Sequence, residues 1–119
     1  MYINLYGLNV VYDDRGRGPL VLLLAETAEQ WADCEPLPAG YRFIAPDLPG
    51  FGRSEGSSMA PEELAEFVVA LVTLLNAGLP RLLVRGAGEA VGRALAERMG
   101  LEPRPCPDRD ALLRLLEAG

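Results

Sequence analysis

The run Leu20-Val21-Leu22-Leu23-Leu24-Ala25 constrains this chain more than any other feature. Successive strand residues point to opposite faces, so an unbroken aliphatic run must be covered on both. Sheets covered on both faces are built from parallel strands whose crossover helices lie over them. Residues 41–46 (YRFIAP) and 81–85 (RLLVR) supply two further apolar strands. Between them, Pro61 stands at a first helical position and Glu62 and Glu63 suit the positive helix start. Leu64, Phe67, Val68, Leu71, Val72 and Leu75 then recur on one helical face, and the stretch 76–80 (NAGLP) stops the helix. A second helix is expected over 88–99, ended by Gly100. A third is expected over 108–118, capped by Asp108, with Leu112, Leu113, Leu115 and Leu116 as its apolar residues. A short helix around Trp31 covers 27–34, and residues 2–6 and 9–13 alternate around Gly7 as a hairpin. The stretch 103–107 (PRPCP) is extended and at most a short strand, because proline removes ladder donors. The expected fold is α/β: a three-layer sandwich with a mostly parallel sheet of about five strands, an N-terminal antiparallel hairpin and helices on both faces. It forms a single domain over residues 1–119.

Composition narrows the chemistry. The chain has no histidine, which excludes His-based acid–base catalysis, Ser-His-acid and Cys-His pairs within one chain, and His-ligated metals. Cys34 and Cys106 are the only cysteines and are far apart in sequence, so no metal site or cofactor is expected. The net charge is −6 and every cation is an arginine, which argues against nucleic acid. There is no apolar run of membrane-spanning length and no basic-then-apolar leader. The expected location is cytoplasmic, with the cysteines reduced.

One loop carries a specific pattern. Asp47-Leu48-Pro49-Gly50-Phe51-Gly52-Arg53-Ser54 follows a strand and resembles the signature loop of the α/β-hydrolase fold family. The opening GLNVVYDDRGRGP resembles that family's first hairpin, and the strand–turn–helix at 81–99 its nucleophile elbow. The resemblance covers roughly residues 2–100. It implies a serine in G-x-S-x-G at the elbow. Aligning the helix puts Gly86 at that position, or Ala87 in the alternative register. Neither has an attacking atom, and glycine is free of the backbone strain of the bend. Ala25-Glu26 replaces the family's His-Gly, setting a carboxylate beside a site that should welcome negative charge. The N–H groups of Thr27 and Ala87 are the implied oxyanion donors. The implied catalytic acid and histidine lie beyond residue 119, so the resemblance implies a truncated member without its triad.

Other readings of the same residues remain open. The turn Gly86-Ala87-Gly88-Glu89-Ala90-Val91-Gly92 reads either as a bare structural turn or as a loose dinucleotide-binding pattern. Asp47 is a turn-holding acceptor or a catalytic acid, and Ser54 a loop hydrogen-bonder. Cys34 is a small buried residue or a nucleophile without a base. Arg85 and Glu89, four apart, are expected to pair. The family's strand order, 1-2-4-3-5 onward, leaves residues 81–85 at an edge. Either PRPCP and the last helix fold over that edge, or a second copy covers it. The prolines favour the second copy, a homodimer through strand 81–85 or through the C-terminal helix, whose leucines span more than one face. The leading functional reading is a non-catalytic binding or interaction module with an unknown small-molecule ligand. The alternatives are an atypical hydrolase using Asp47 or Cys34, and a nucleotide-binding module at Gly86–Gly92.

Overall fold

The computed structural model describes residues 1–118. Its sheet has six strands: β1 (Tyr2–Leu5), β2 (Leu8–Gly16), β3 (Leu20–Leu24), β4 (Arg42–Pro46), β5 (Arg81–Val84) and β6 (Pro103–Pro105), in the order β1-β2-β4-β3-β5-β6. Three α-helices, α1 (Pro61–Leu75), α2 (Gly88–Met99) and α3 (Arg109–Glu117), and a 3-10 helix (Ala28–Cys34) connect and cover it. The β1–β2 and β2–β4 pairings are antiparallel and all the others parallel. The hairpin turns on Tyr6 and Gly7, both at positive φ, the geometry of a two-residue turn matched to strand twist.

Strand alternation splits the core in two. Leu20, Leu22, Leu24, Ile44, Leu82 and Val84 face α1 and α2. Val21, Leu23, Phe43, Ala45 and Leu83 face the 3-10 helix and α3. All five residues of β3 are buried, as a central strand of aliphatic residues must be. The C-terminal half of β2 pairs with β4, whereas Asn9 and Val11 further up the strand are paired by the loop after β4. That arrangement fixes the loop over the end of the sheet.

One expectation needs correction. Strand β5 is not an edge, because β6 pairs beside it, bringing Leu83 opposite Arg104. Proline spacing is the physical reason. The Cys106 N–H donates to the Val84 carbonyl at 2.9 Å. Parallel-strand alternation then turns the Arg104 N–H the same way, and turns Pro103 and Pro105 outward. The missing donors fall on the outer side, so β6 completes the inner ladder and blunts its own free edge. Residues 82–84 are therefore paired on both sides within the chain. Of the α3 leucines, Leu112 and Leu116 are buried, whereas Leu113 and Leu115 are half-buried at the margin of the same core, so they do span more than one face. No helix among the described residues is long and apolar enough to cross a membrane.

Candidate functional site

The elbow is formed by the end of β5, residues 85–87 and the start of α2. Gly86 has φ +57°, a left-handed conformation that glycine adopts without cost. A Cβ built on Gly86 would lie 2.6 Å from Glu26 Oε1. The same carboxylate oxygen accepts the Ala87 N–H at 3.0 Å. An anion fits here because the Ala87 N–H stands at the start of α2, at the positive end of the helix dipole. The Thr27 N–H donates to Gln30 Oε1 at 2.9 Å. Both amides expected to receive an external oxyanion thus already have acceptors within the chain. The glycines of the proposed dinucleotide turn face the protein: a Cβ on Gly88 would overlap the Leu24 carbonyl oxygen, and one on Gly92 would press on Val84 and Pro103.

The loop after β4 is organised by Asp47, whose residue exposure is only 2 %. Its Oδ1 accepts the Ala28 N–H at 2.8 Å, and its Oδ2 accepts the Arg53 N–H at 2.8 Å and Arg53 Nε at 2.9 Å. Burial pushes this carboxyl up, but the Arg53 guanidinium and the two amides outweigh it and hold its pKa below the usual carboxylate value. Ser54 Oγ donates to the Asp47 carbonyl at 2.6 Å and accepts the Val11 N–H at 2.8 Å. Gly52 has φ +51°, and a Cβ there would lie 2.6 Å from Asp47 Oδ2. Gly50, at φ +85°, would meet the Ser57 carbonyl oxygen at 2.7 Å. Each residue singled out in this loop makes a bond or leaves a space that another requires.

Arg85 does not pair with Glu89. Its Nη1 donates to the Gln30 carbonyl and to Asp33 Oδ1, each at 2.7 Å, and its Nε to the Cys106 carbonyl at 3.0 Å. Its guanidinium lies 4.0 Å from the Trp31 ring centroid, and Nη2 reaches Cys34 Sγ at 3.3 Å. One side chain thereby ties β5, the 3-10 helix and the end of β6 together. Burial raises both thiols, Cys106 to about 11, so neither is a thiolate at neutral pH. Among the described residues no group of three His, Cys, Asp or Glu side chains is placed to hold a metal ion. We expect Arg85→Lys to cost about 1–2 kcal/mol in urea denaturation, because one ammonium cannot reproduce the planar fork and the stacked contact. An unchanged midpoint would contradict this role.

A groove of about 440 Å³ opens beside the 3-10 helix, over the face that holds Leu23, Trp31 and Phe43. Neither Glu26 nor Gly86 lines it, so it is separate from the elbow.

No family model and no curated protein matches the chain. Among solved structures it superposes on the protein TT1977 with a TM-score of 0.89 and 48% identity, covering 100% of this chain and 98% of that one. It superposes on the epoxide hydrolase VrEH1 from Vigna radiata with a TM-score of 0.76 and 29% identity, covering 84% of this chain and 34% of the enzyme. The ancestral haloalkane dehalogenase AncHLD2 gives a TM-score of 0.70 at 26% identity, over 84% of this chain and 38% of that one. The chain belongs to the α/β-hydrolase fold family. It spans little more than a third of the length of these two matched proteins, and nearly all of TT1977.

Within the α/β-hydrolase frame, sequence reasoning put a carboxylate near the elbow but did not place it on the Ala87 amide. The Gln30 acceptor had a signal that went unread: Thr27-x-x-Gln30 has the spacing of a helix-start box. The Arg85 hub had none. Its partners lie 51 to 55 residues back and 21 residues ahead, and only the closed sheet brings them together.

Proposed function

We propose that this α/β-hydrolase-fold chain binds a ligand and does not hydrolyse one. The carrying observation is the Glu26 carboxylate, seated on the Ala87 amide in the space where a side chain at position 86 would stand. A fixed negative charge there repels the anion that an oxyanion site would have to stabilise. The residues of the hydrolytic alternative do not rescue it. Asp47 is saturated with donors, and Cys34 is held as a thiol without a histidine in the chain. The nucleotide alternative requires a pyrophosphate where Glu26 already sits.

The purified chain, incubated with p-nitrophenyl acetate, styrene oxide and 1-bromobutane, should give no turnover above buffer. Turnover that scales with protein and vanishes in Asp47→Asn or Cys34→Ala would overturn the reading. Glu26→Ala tests the plug directly. It should lose about 1 kcal/mol of stability. Acetate at about 100 mM, binding the exposed Ala87 amide with a Kd of about 10 mM, should return about 1.4 kcal/mol to this variant and nothing to the parent. Equal acetate effects on both proteins would show that the carboxylate does not occupy an anion site.

A further inference from the structure

We infer that two copies of this chain pair through β1, edge against edge, and join their sheets into one. The two ends of the sheet are built differently. At β6 the outer side meets solvent with Pro103 and Pro105, which leave no donor there, and the strand carries the charged Arg104. At β1 the residues are Tyr2, Ile3, Asn4 and Leu5, with no proline, no charge and no strand beyond them. The Tyr12 N–H donates to the Met1 carbonyl at 2.9 Å, so alternation turns the backbone groups of Ile3 and Leu5 toward β2 as well. Tyr2 and Asn4 stand opposite Val11 and Asn9, whose own N–H groups donate away from β1, to Ser54 and Glu55. The N–H and C=O of Tyr2 and Asn4 therefore point out of the sheet and meet no partner among the described residues.

The surface beside that edge selects a second copy. Phe67, Ala70 and Leu74 follow one another at helical spacing along one flank of α1. That flank faces β1: the Phe67 and Tyr6 rings meet edge-on, their centroids 5.3 Å apart. The opposite flank faces α2, where Glu66 pairs with Arg98. Phe67 and Ala70 are half-buried, whereas Leu74 is 59 % exposed and Tyr2 and Tyr6 are 71 % and 70 % exposed. A lone foreign strand would satisfy Tyr2 and Asn4 but leave the helix stripe in water. A copy related by a two-fold axis at Ile3 brings the same strand and the same stripe together. In that register each Tyr2 N–H meets the other copy's Asn4 carbonyl, and each Asn4 N–H meets the other copy's Tyr2 carbonyl. Both α1 helices then lie on the same face of the joined sheet, and their stripes approach across the axis. The net charge of −6 does not oppose this contact, because no charged side chain stands in β1 or among Phe67, Ala70 and Leu74. At roughly 200 Å² for a large side chain, Met1, Tyr2, Tyr6 and Leu74 offer about 550 Å² of exposed surface per copy. With the strand backbone and the half-buried residues, the pair reaches the ~1,200 Å² at which specific interfaces begin, the size of a reversible dimer.

Sedimentation velocity of the full chain from about 1 to 500 μM should show a monomer–dimer equilibrium with a Kd of about 50 μM. On dilution over the upper part of that range, the ¹⁵N-labelled amides of Tyr2, Asn4 and the α1 stripe should move. Tyr2→Pro removes an outward donor at an exposed edge position that a folded strand tolerates. Leu74→Lys sets like charges against each other from an exposed helix position. Each should weaken the dimer about tenfold or more while the thermal midpoint stays within about 3 °C of the parent. Leu79→Lys, equally exposed but placed just before β5, should leave the Kd unchanged. If Tyr2→Pro does not fold, Leu74→Lys decides. Sedimentation as monomer at about 500 μM overturns the pairing. So does a dimer that either folded variant leaves intact, one that Leu79→Lys weakens equally, or amide shifts confined to other residues. A monomer whose Tyr2 and Asn4 amides move only on adding acetyl-Thr-Val-Thr-Val-amide would give the edge to a foreign strand and overturn it too. Neither turnover nor acetate binding enters these readouts, so the pairing stands or falls apart from the non-catalytic reading.

Discussion

Gly88→Ala should destabilise the chain by about 3 kcal/mol, lowering the thermal midpoint by roughly 12 °C for a domain of this size. Gly88 opens α2 immediately after the elbow, where the helix start lies against the end of β3. A Cβ there would overlap the carbonyl oxygen of Leu24 and approach the Ala25 nitrogen at 3.0 Å. Both are backbone atoms of the central strand, so relief requires α2 to move away from the sheet. Gly88 is absent from the positive-φ glycines, so the whole effect is steric. Gly100→Ala is the matched control. Nothing lies within 4 Å of its built Cβ, but its φ is +69°. That substitution should cost about 1 kcal/mol, from backbone strain alone. Urea denaturation of the two variants should order them Gly88 well above Gly100. Equal costs would mean that the α2–β3 approach is not as close as described.

Asp47→Asn should cost about 2–4 kcal/mol and should alter the acid limb of the stability profile. An asparagine can turn its oxygen toward the Ala28 amide. Its NH₂ then faces Arg53 N–H and Nε, donor against donor, at a residue that is 2 % exposed. Half of the partner side chain is exposed to solvent, which keeps the estimate below that for a fully buried ion pair. The folded pKa of Asp47 is depressed, so its stabilisation is complete above the unfolded value of about 3.9 and is lost as the pH falls through the folded value. Asp14, held low by its hydrogen bond to Arg42, adds to the same acid-side loss. Stability measured from about pH 6 to pH 2 should therefore fall less steeply in Asp47→Asn than in the parent. Identical slopes would remove Asp47 from the acid response.

The sequence by itself determined the elements and the family. A run of aliphatic residues over 20–25 admits little but a doubly covered strand, because every second side chain would otherwise face water. The helical period over 64–75, Pro61 before it and Gly100 after the next helix are local signals, readable because their causes lie within a few residues. The Asp47–Ser54 loop was equally legible, since its glycines and its acceptor are fixed by one another. Tertiary structure decided what closes each open group. The prolines at 103 and 105 allowed a short strand but argued against its pairing with β5, until the ladder showed which side of β6 their missing donors face. Arg85 had an apparent partner four residues on and found its real ones across the sheet. The glycine at 86 announced an empty elbow, but only the fold set Glu26 against Ala87 to fill it. Local periodicity specifies which residues must be buried, whereas a polar group takes whichever partner the closed chain brings within about 3 Å of it.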